Sequence, residues 1–73
     1  MMETPTAAEI AQHYKAALDS VTLITELMAL DSRDATQTDR VSRNVEHLKT
    51  MVAKDFWTTE DLTPFNTAIT AGS

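Results

Sequence analysis

Apolar residues recur at helical spacing along the first third of the chain. From residue 10 to residue 28 they lie three or four positions apart, which places them on one face of an α-helix. The members of this core stripe are Ile10, Tyr14, Ala17, Val21, Ile24 and Met28. The pattern predicts a first helix over about 5–30 whose core stripe packs along another helix.

The start of this first helix has two candidate caps. Thr4 could be the N-cap residue, with Pro5 at the first helical position, where a missing N–H costs nothing. Thr6 and Glu9 could instead form a capping box, because they are three residues apart. The sequence leaves both possibilities open.

A second apolar run has the same spacing and predicts a second helix over about 36–54. Its members are Val41, Val45, Leu48 and Val52. Residues 31–36 between the two helices are almost all polar, so we expect a short connection that ends in an N-cap. Asp39 and Arg43 are four positions apart and should pair on the helix surface. Together the two helices predict an antiparallel hairpin.

A short third helix is predicted over about 62–71, with an apolar patch formed by Leu62, Phe65, Ala68 and Ile69. Pro64 leaves its start open. A helix that began at Thr58 would hold Pro64 too deep, where it loses a hydrogen bond. We favour a turn over 58–61, which leaves Pro64 in the first helical turn, and we expect Gly72 to end the helix.

These elements make one small domain of the all-α class that spans residues 1–73. Turn residues are scarce, with one Gly and two Pro among 73 residues, which argues against strands joined by tight turns. A chain of this length buries only about 60% of the surface that it exposes when unfolded. It has no Cys, so disulfides and thiolate metal sites are excluded and association with another protein is the remaining source of stability.

The first helix has more apolar surface than one partner helix requires. Leu23, Leu27 and Leu30 form a second set, the leucine stripe, beside the core stripe. Either the third helix covers the leucine stripe, or the stripe is a surface for self-association or docking. Trp57, next to Phe56, likewise has two interpretations: it fills the corner between helices two and three, or it anchors a partner protein.

Nothing in the sequence predicts a catalytic, cofactor or metal site. Glu9 and His13 are four positions apart and could supply two metal ligands, but no third ligand accompanies them. No glycine-rich phosphate loop is present. We therefore expect neither an enzyme nor a small-molecule substrate.

The charge of the chain narrows the set of partners. The net charge is −5, from 11 acidic and 6 basic residues, which opposes binding to nucleic acid or to anionic lipid. The predicted third helix has no Arg or Lys with which to contact a DNA groove. No apolar run approaches a membrane span and the N-terminus is unlike a signal peptide, so we expect a soluble protein.

The second half of the chain resembles segments of short proteins encoded in bacteriophage and prophage genomes. The resemblance covers residues 44–62 and consists of three successive motifs: N-V-E-H-L, A-K-D-F-W and T-T-E-D-L. It implies a phage origin, with the protein in the host cytoplasm or in the virion, and it carries over no site residues.

Two functional hypotheses follow. The first is a non-enzymatic structural or assembly protein, a homo-oligomer or part of a larger protein assembly, such as a small virion or accessory component. The alternative is an acidic regulatory protein that binds a host or phage protein. The alternative requires acidic residues to gather on one exposed face, and the residues concerned are Asp31, Asp34, Asp39, Glu60 and Asp61.

Overall fold

A computed structural model describes residues 5–57 and 60–73, and over these residues the chain is helical with no strand. The helices are α1 (Ala7–Met28), α2 (Ala35–Val52) and α3 (Thr63–Gly72). The all-α class is therefore confirmed. The observed bounds lie one or two residues from those expected, because the spacing of apolar residues does not specify where a cap forms.

The N-terminus of α1 carries the capping box formed by Thr6 and Glu9. The hydroxyl of Thr6 accepts from the N–H of Glu9, and the carboxylate of Glu9 accepts from the N–H of Thr6, both at 3.2 Å. Pro5 precedes the cap, so the alternative that placed Pro5 at the first helical position is wrong. Thr4, the competing cap residue, lies outside the described residues.

Side chains on the connection close both neighbouring helix ends. The carboxylate of Asp34 accepts from the N–H of Gln37 at 2.7 Å, and the Gln37 side chain accepts from the N–H of Asp34 at 3.0 Å. Arg33 Nη1 donates to the carbonyls of Leu27 and Leu30, at 3.3 and 3.4 Å, so its guanidinium lies against the last turn of α1. Within α2, Arg43 pairs with Asp39 at 2.8 Å, as predicted.

The residue at which α3 begins determines where Pro64 lies in the helix. The helix begins at Thr63, so Pro64 lies in its first turn, where it is tolerated. The carboxylate of Asp61 accepts from the N–H of Thr63 at 2.9 Å. The expected turn over 58–61 includes Thr58 and Thr59, which lie outside the described residues.

The core lies between all three helices. The buried apolar residues are Ala17, Ile24, Val41, Val45, Leu48, Met51, Phe65 and Ala68. Near the N-terminal end of α1, the Tyr14 hydroxyl donates to the Asp61 carbonyl, just before α3 begins, at 2.8 Å. At its other end α3 approaches Ile24 and Val45. The third helix therefore runs parallel to α1 and antiparallel to α2.

The predicted core stripes are mostly confirmed, with differences at their edges. Tyr14, Val21, Met28 and Val52 are half-buried and pack against the buried cluster. Ile10 is half-buried but is not among the residues that pack on this cluster, because the core begins one turn further along α1.

Two buried residues were absent from the predicted stripes. Ser20 keeps only 7% of its surface exposed, although it is polar, and Met51 is buried near the end of α2. Ser20 follows Ala17 by three residues and Met51 follows Leu48 by three, so both positions keep the helical spacing of the core stripes.

The third helix ends at Gly72, as predicted, but not through a left-handed glycine cap. Gly72 is the last residue of α3 and has no positive φ. A Cβ added to it would lie 2.5 Å from Cγ2 of Val45, 3.2 Å from Cγ1 of Val41 and 3.3 Å from Cγ2 of Ile24. Any larger residue would therefore require the side chain of Val45 to shift, which favours glycine at this position.

Candidate interaction surfaces

The two flanks of α1 differ in what covers them. Successive residues of a helix are rotated by about 100°. Relative to the buried Ile24, Thr25 therefore lies about 100° to one side and Leu23 about 100° to the other. Thr25 lines a groove with α3, so α3 packs on the flank of Thr25. It does not cover Leu23, which was one interpretation of the leucine stripe.

The leucine stripe becomes more exposed with distance from the core. Leu27 is half-buried and packs on the core cluster. Leu23 is half-buried without being part of that packing. Leu30 is 41% exposed, and among the described residues it is the large apolar side chain that is exposed. The guanidinium of Arg33 lies at this end of the stripe, against the carbonyls of Leu27 and Leu30.

An open groove of about 640 Å³ lies between α1 and α3. Small side chains form much of its walls, so the groove is wide enough for side chains from another molecule. The wall residues that matter below are Val21, Thr25, Ala29, Thr63, Thr67 and Ala71. The groove cannot be recognised from the sequence, because one wall comes from α1 and the other from α3, which begins 35 residues after α1 ends.

A single carboxylate, Asp61, lines one end of the groove. Its side chain accepts hydrogen bonds from the backbone N–H and the side chain of Thr63, and these bonds lower its pKa below the ordinary value of 3.8. Asp61 is exposed, so one carboxylate oxygen is accessible to a further donor. The groove is thus mostly apolar with a negative charge at its α3 N-terminal end.

Trp57 lies in an aromatic corner, which we define as Tyr14, Phe56, Trp57 and Phe65. Its ring centroid lies 4.7 Å from that of Phe56, 6.0 Å from that of Tyr14 and 6.2 Å from that of Phe65. Its Nε1–H donates to the Met51 carbonyl at 2.8 Å. Trp57 therefore fills the corner between α2 and α3.

The structure does not bring Trp57 together with the leucine stripe. Tyr14, which contacts Trp57, precedes the end of α1 at Met28 by 14 residues, or about 21 Å along the helix, and Leu30 lies beyond that end. A role of Trp57 as a partner anchor stays a prediction, separate from the leucine stripe.

The remaining candidate ligands have other contacts. Glu9 caps α1, and the ring of His13 stacks on that of Phe56 with centroids 5.5 Å apart. Within 5–57 and 60–73, no three His, Cys, Asp or Glu residues are grouped so that they could hold a metal ion. None of the helices in the described part of the chain combines the length and apolar content that a bilayer span requires.

The acidic residues that the regulatory alternative requires on one face lie at both ends of the bundle. Asp31 and Asp34 belong to the connection after α1. Asp61 lies beside Tyr14, which precedes Met28 by 14 residues, or about 21 Å along α1. No single acidic face forms from these residues, so no observation favours the regulatory alternative.

No protein-family model, curated protein or solved structure matches this chain. Any functional inference therefore depends on the surfaces of the fold itself.

Proposed function

We propose that this chain is a non-enzymatic structural or assembly protein that self-associates through its leucine stripe. One observation carries the proposal: Leu30, just past the C-terminal end of α1, is 41% exposed, and the half-buried Leu23 lies on the flank of α1 that α3 leaves uncovered. A second molecule that covers both leucines removes them from water. Complete burial of a fully exposed leucine contributes about 1.5–3 kcal/mol, and covering the exposed 41% of Leu30 contributes a corresponding fraction of this.

The small size of the domain supports the same conclusion. Three helices in 73 residues form a narrow core without any disulfide. Small domains that lack disulfides and metals often gain stability from association. The net charge of −5 and the absence of Lys and Arg from α3 argue against nucleic acid as the partner.

The phage setting is part of the proposal and depends on the resemblance of residues 44–62 to short phage proteins. Under this proposal the protein is a small virion or accessory component. The genes that flank the coding sequence test the setting, and a position among virion genes is the expected result. A position within an unrelated cellular operon would contradict it.

Light scattering across a dilution series tests self-association. We expect a molar mass above 8.1 kDa at micromolar concentrations. Leu23→Asp should lower this mass and leave the helical circular dichroism intact, because an aspartate on the stripe must lose its hydration when two copies meet.

Thr22→Asp is the matched control, since Thr22 is exposed on the same helix and the variant acquires the same charge. It should associate like the wild type. A wild-type protein that stays a cooperatively melting monomer would contradict the proposal. If Leu23→Asp also abolishes helicity, Leu23 belongs to the core instead.

A further inference from the structure

We propose that the leucine stripe of one copy binds in the α1–α3 groove of the next copy, so that association is head-to-tail. This inference rests on the proposed self-association and adds its geometry. It concerns two surfaces of the same chain that lie on opposite flanks of α1.

The shapes of the two surfaces are complementary. The leucine stripe presents large side chains, and Leu30 is the most exposed of them. The groove presents small ones, including Thr25, Ala29, Thr67 and Ala71, around about 640 Å³ of space. Large apolar side chains pack against small ones without leaving voids, whereas two facing rows of leucines would leave both grooves uncovered.

The lengths of the two surfaces also agree. Leu23 lies five residues before the last residue of α1, which is about 8 Å along the helix, and Leu30 follows two residues beyond that end. Thr63 and Ala71 are eight residues apart on α3, which is about 12 Å. One stripe therefore occupies one groove over most of its length.

Two charged side chains determine the direction in which the leucine stripe of one copy lies in the groove of the next. Arg33 lies at the C-terminal end of the leucine stripe, and Asp61 lies at the end of the groove where α3 begins. A guanidinium has five N–H donors, and Nη1 alone makes the two bonds to the carbonyls of Leu27 and Leu30, so other donors can reach the Asp61 carboxylate of the next copy. This pair requires the bound α1 to run antiparallel to the α1 and α3 that receive it.

Such a contact joins the leucine stripe of one copy to the groove of the next. One stripe and one groove therefore stay unoccupied at the two ends of the assembly. Repetition of the contact therefore produces a ring if the rotation closes and an open filament if it does not. Either result suits a structural component that is built from many small copies.

Mixing two complementary variants tests the inference. Leu30→Asp damages the stripe, and Thr67→Glu damages the groove at an exposed residue of α3. Each variant alone should associate at least about tenfold more weakly than the wild type, because a carboxylate must be desolvated at the contact. Mixed in equal amounts, they should form a dimer of twice 8.1 kDa, since each supplies the surface that the other lacks.

Thr50→Glu is the control for the groove variant, because Thr50 is exposed on α2 and lines neither the groove nor the shallow pocket beside it. It should form the same large assemblies as the wild type. Circular dichroism confirms that all variants keep their helices.

Three other outcomes would overturn the inference in different ways. If Thr67→Glu associates like the wild type and the mixture gains nothing, the copies pair stripe to stripe. If neither variant affects assembly, other surfaces make the contact. A monomeric wild type would instead overturn the proposed self-association itself.

Reversal of the charges tests the direction. Arg33→Glu and Asp61→Arg should each weaken association by up to about fivefold, as expected for an exposed ion pair. The chain that carries both changes should recover most of the loss. If the double variant is weaker than either single variant, the antiparallel arrangement is wrong.

Discussion

The two ends of the bundle are packed in opposite ways. At the aromatic corner, four rings fill the space where the start of α1, the end of α2 and the start of α3 meet. At the other end, which we call the glycine end, the backbone of α3 at Gly72 lies directly against Val41, Val45 and Ile24. Large side chains separate the helices at one end, and the absence of a side chain brings them together at the other.

This difference predicts which substitutions each end of the bundle tolerates. Removal of atoms is destabilising at the aromatic corner, because the loss of a ring leaves a cavity that its neighbours cannot fill. Addition of atoms is costly at the glycine end, because no space remains for a methyl group. The two ends should therefore respond oppositely to substitutions of similar size.

The largest effect is expected from Phe65→Ala at the aromatic corner. Phe65 is completely buried and its ring lies 5.0 Å from that of Tyr14. Loss of a buried phenylalanine costs about 3–5 kcal/mol, which approaches the whole stability of a small domain. Urea unfolding followed by circular dichroism should show a largely unfolded variant. Phe56→Ala, at a half-buried ring of the same corner, should cost less, and equal losses would show that the corner is not packed as described.

Gly72→Ala tests the glycine end, and the prediction concerns the sign of the change in the free energy of unfolding. Helix propensity alone favours alanine over glycine by about 1 kcal/mol. We expect the opposite, a net loss of about 1–2 kcal/mol, because the new methyl group would overlap Val45. The measurement is the free energy of unfolding in urea.

The double variant Gly72→Ala with Val45→Ala isolates this contact. Val45→Ala removes the atom nearest to the new methyl group, so the double variant should lose less than the sum of the two single losses. A stabilised Gly72→Ala variant would show that the end of α3 does not hold this close approach.

The smallest effect concerns pH at the aromatic corner. The pKa of Asp61 is lowered in the folded state by the hydrogen bonds from Thr63, so its stabilising contribution is complete above the ordinary pKa of 3.8. The contribution is lost as the pH falls through the lowered folded-state pKa. Asp61→Asn should therefore reduce the melting temperature slightly at pH 7 and leave it unchanged in strong acid.

Asp31→Asn is the control for this measurement, because Asp31 lies at the opposite end of α1. It measures the general effect of removing one negative charge. If both variants change the melting temperature equally at every pH, the bonds from Thr63 contribute nothing specific.

The sequence by itself determined the features that depend on residues within one helical turn. The pair of Asp39 and Arg43 and the burial of Ile24 and Val45 follow from spacings of three or four residues, and the capping box of Thr6 and Glu9 was one of the two caps that the spacing allowed. Such contacts form in any helix that has these residues, whatever packs beside it.

Only the tertiary structure decided which surfaces are covered and which are exposed. The reason Gly72 is a glycine, the bond from Tyr14 to Asp61, and the flank on which α3 packs all depend on how three helices fit together. A helical pattern shows that Leu23 and Thr25 lie on opposite flanks of α1, but either flank could have received α3. Packing of the small residues of α3 on the flank of Thr25 leaves the flank of Leu23 without α3, and this asymmetry, together with the exposed Leu30, carries the proposed function.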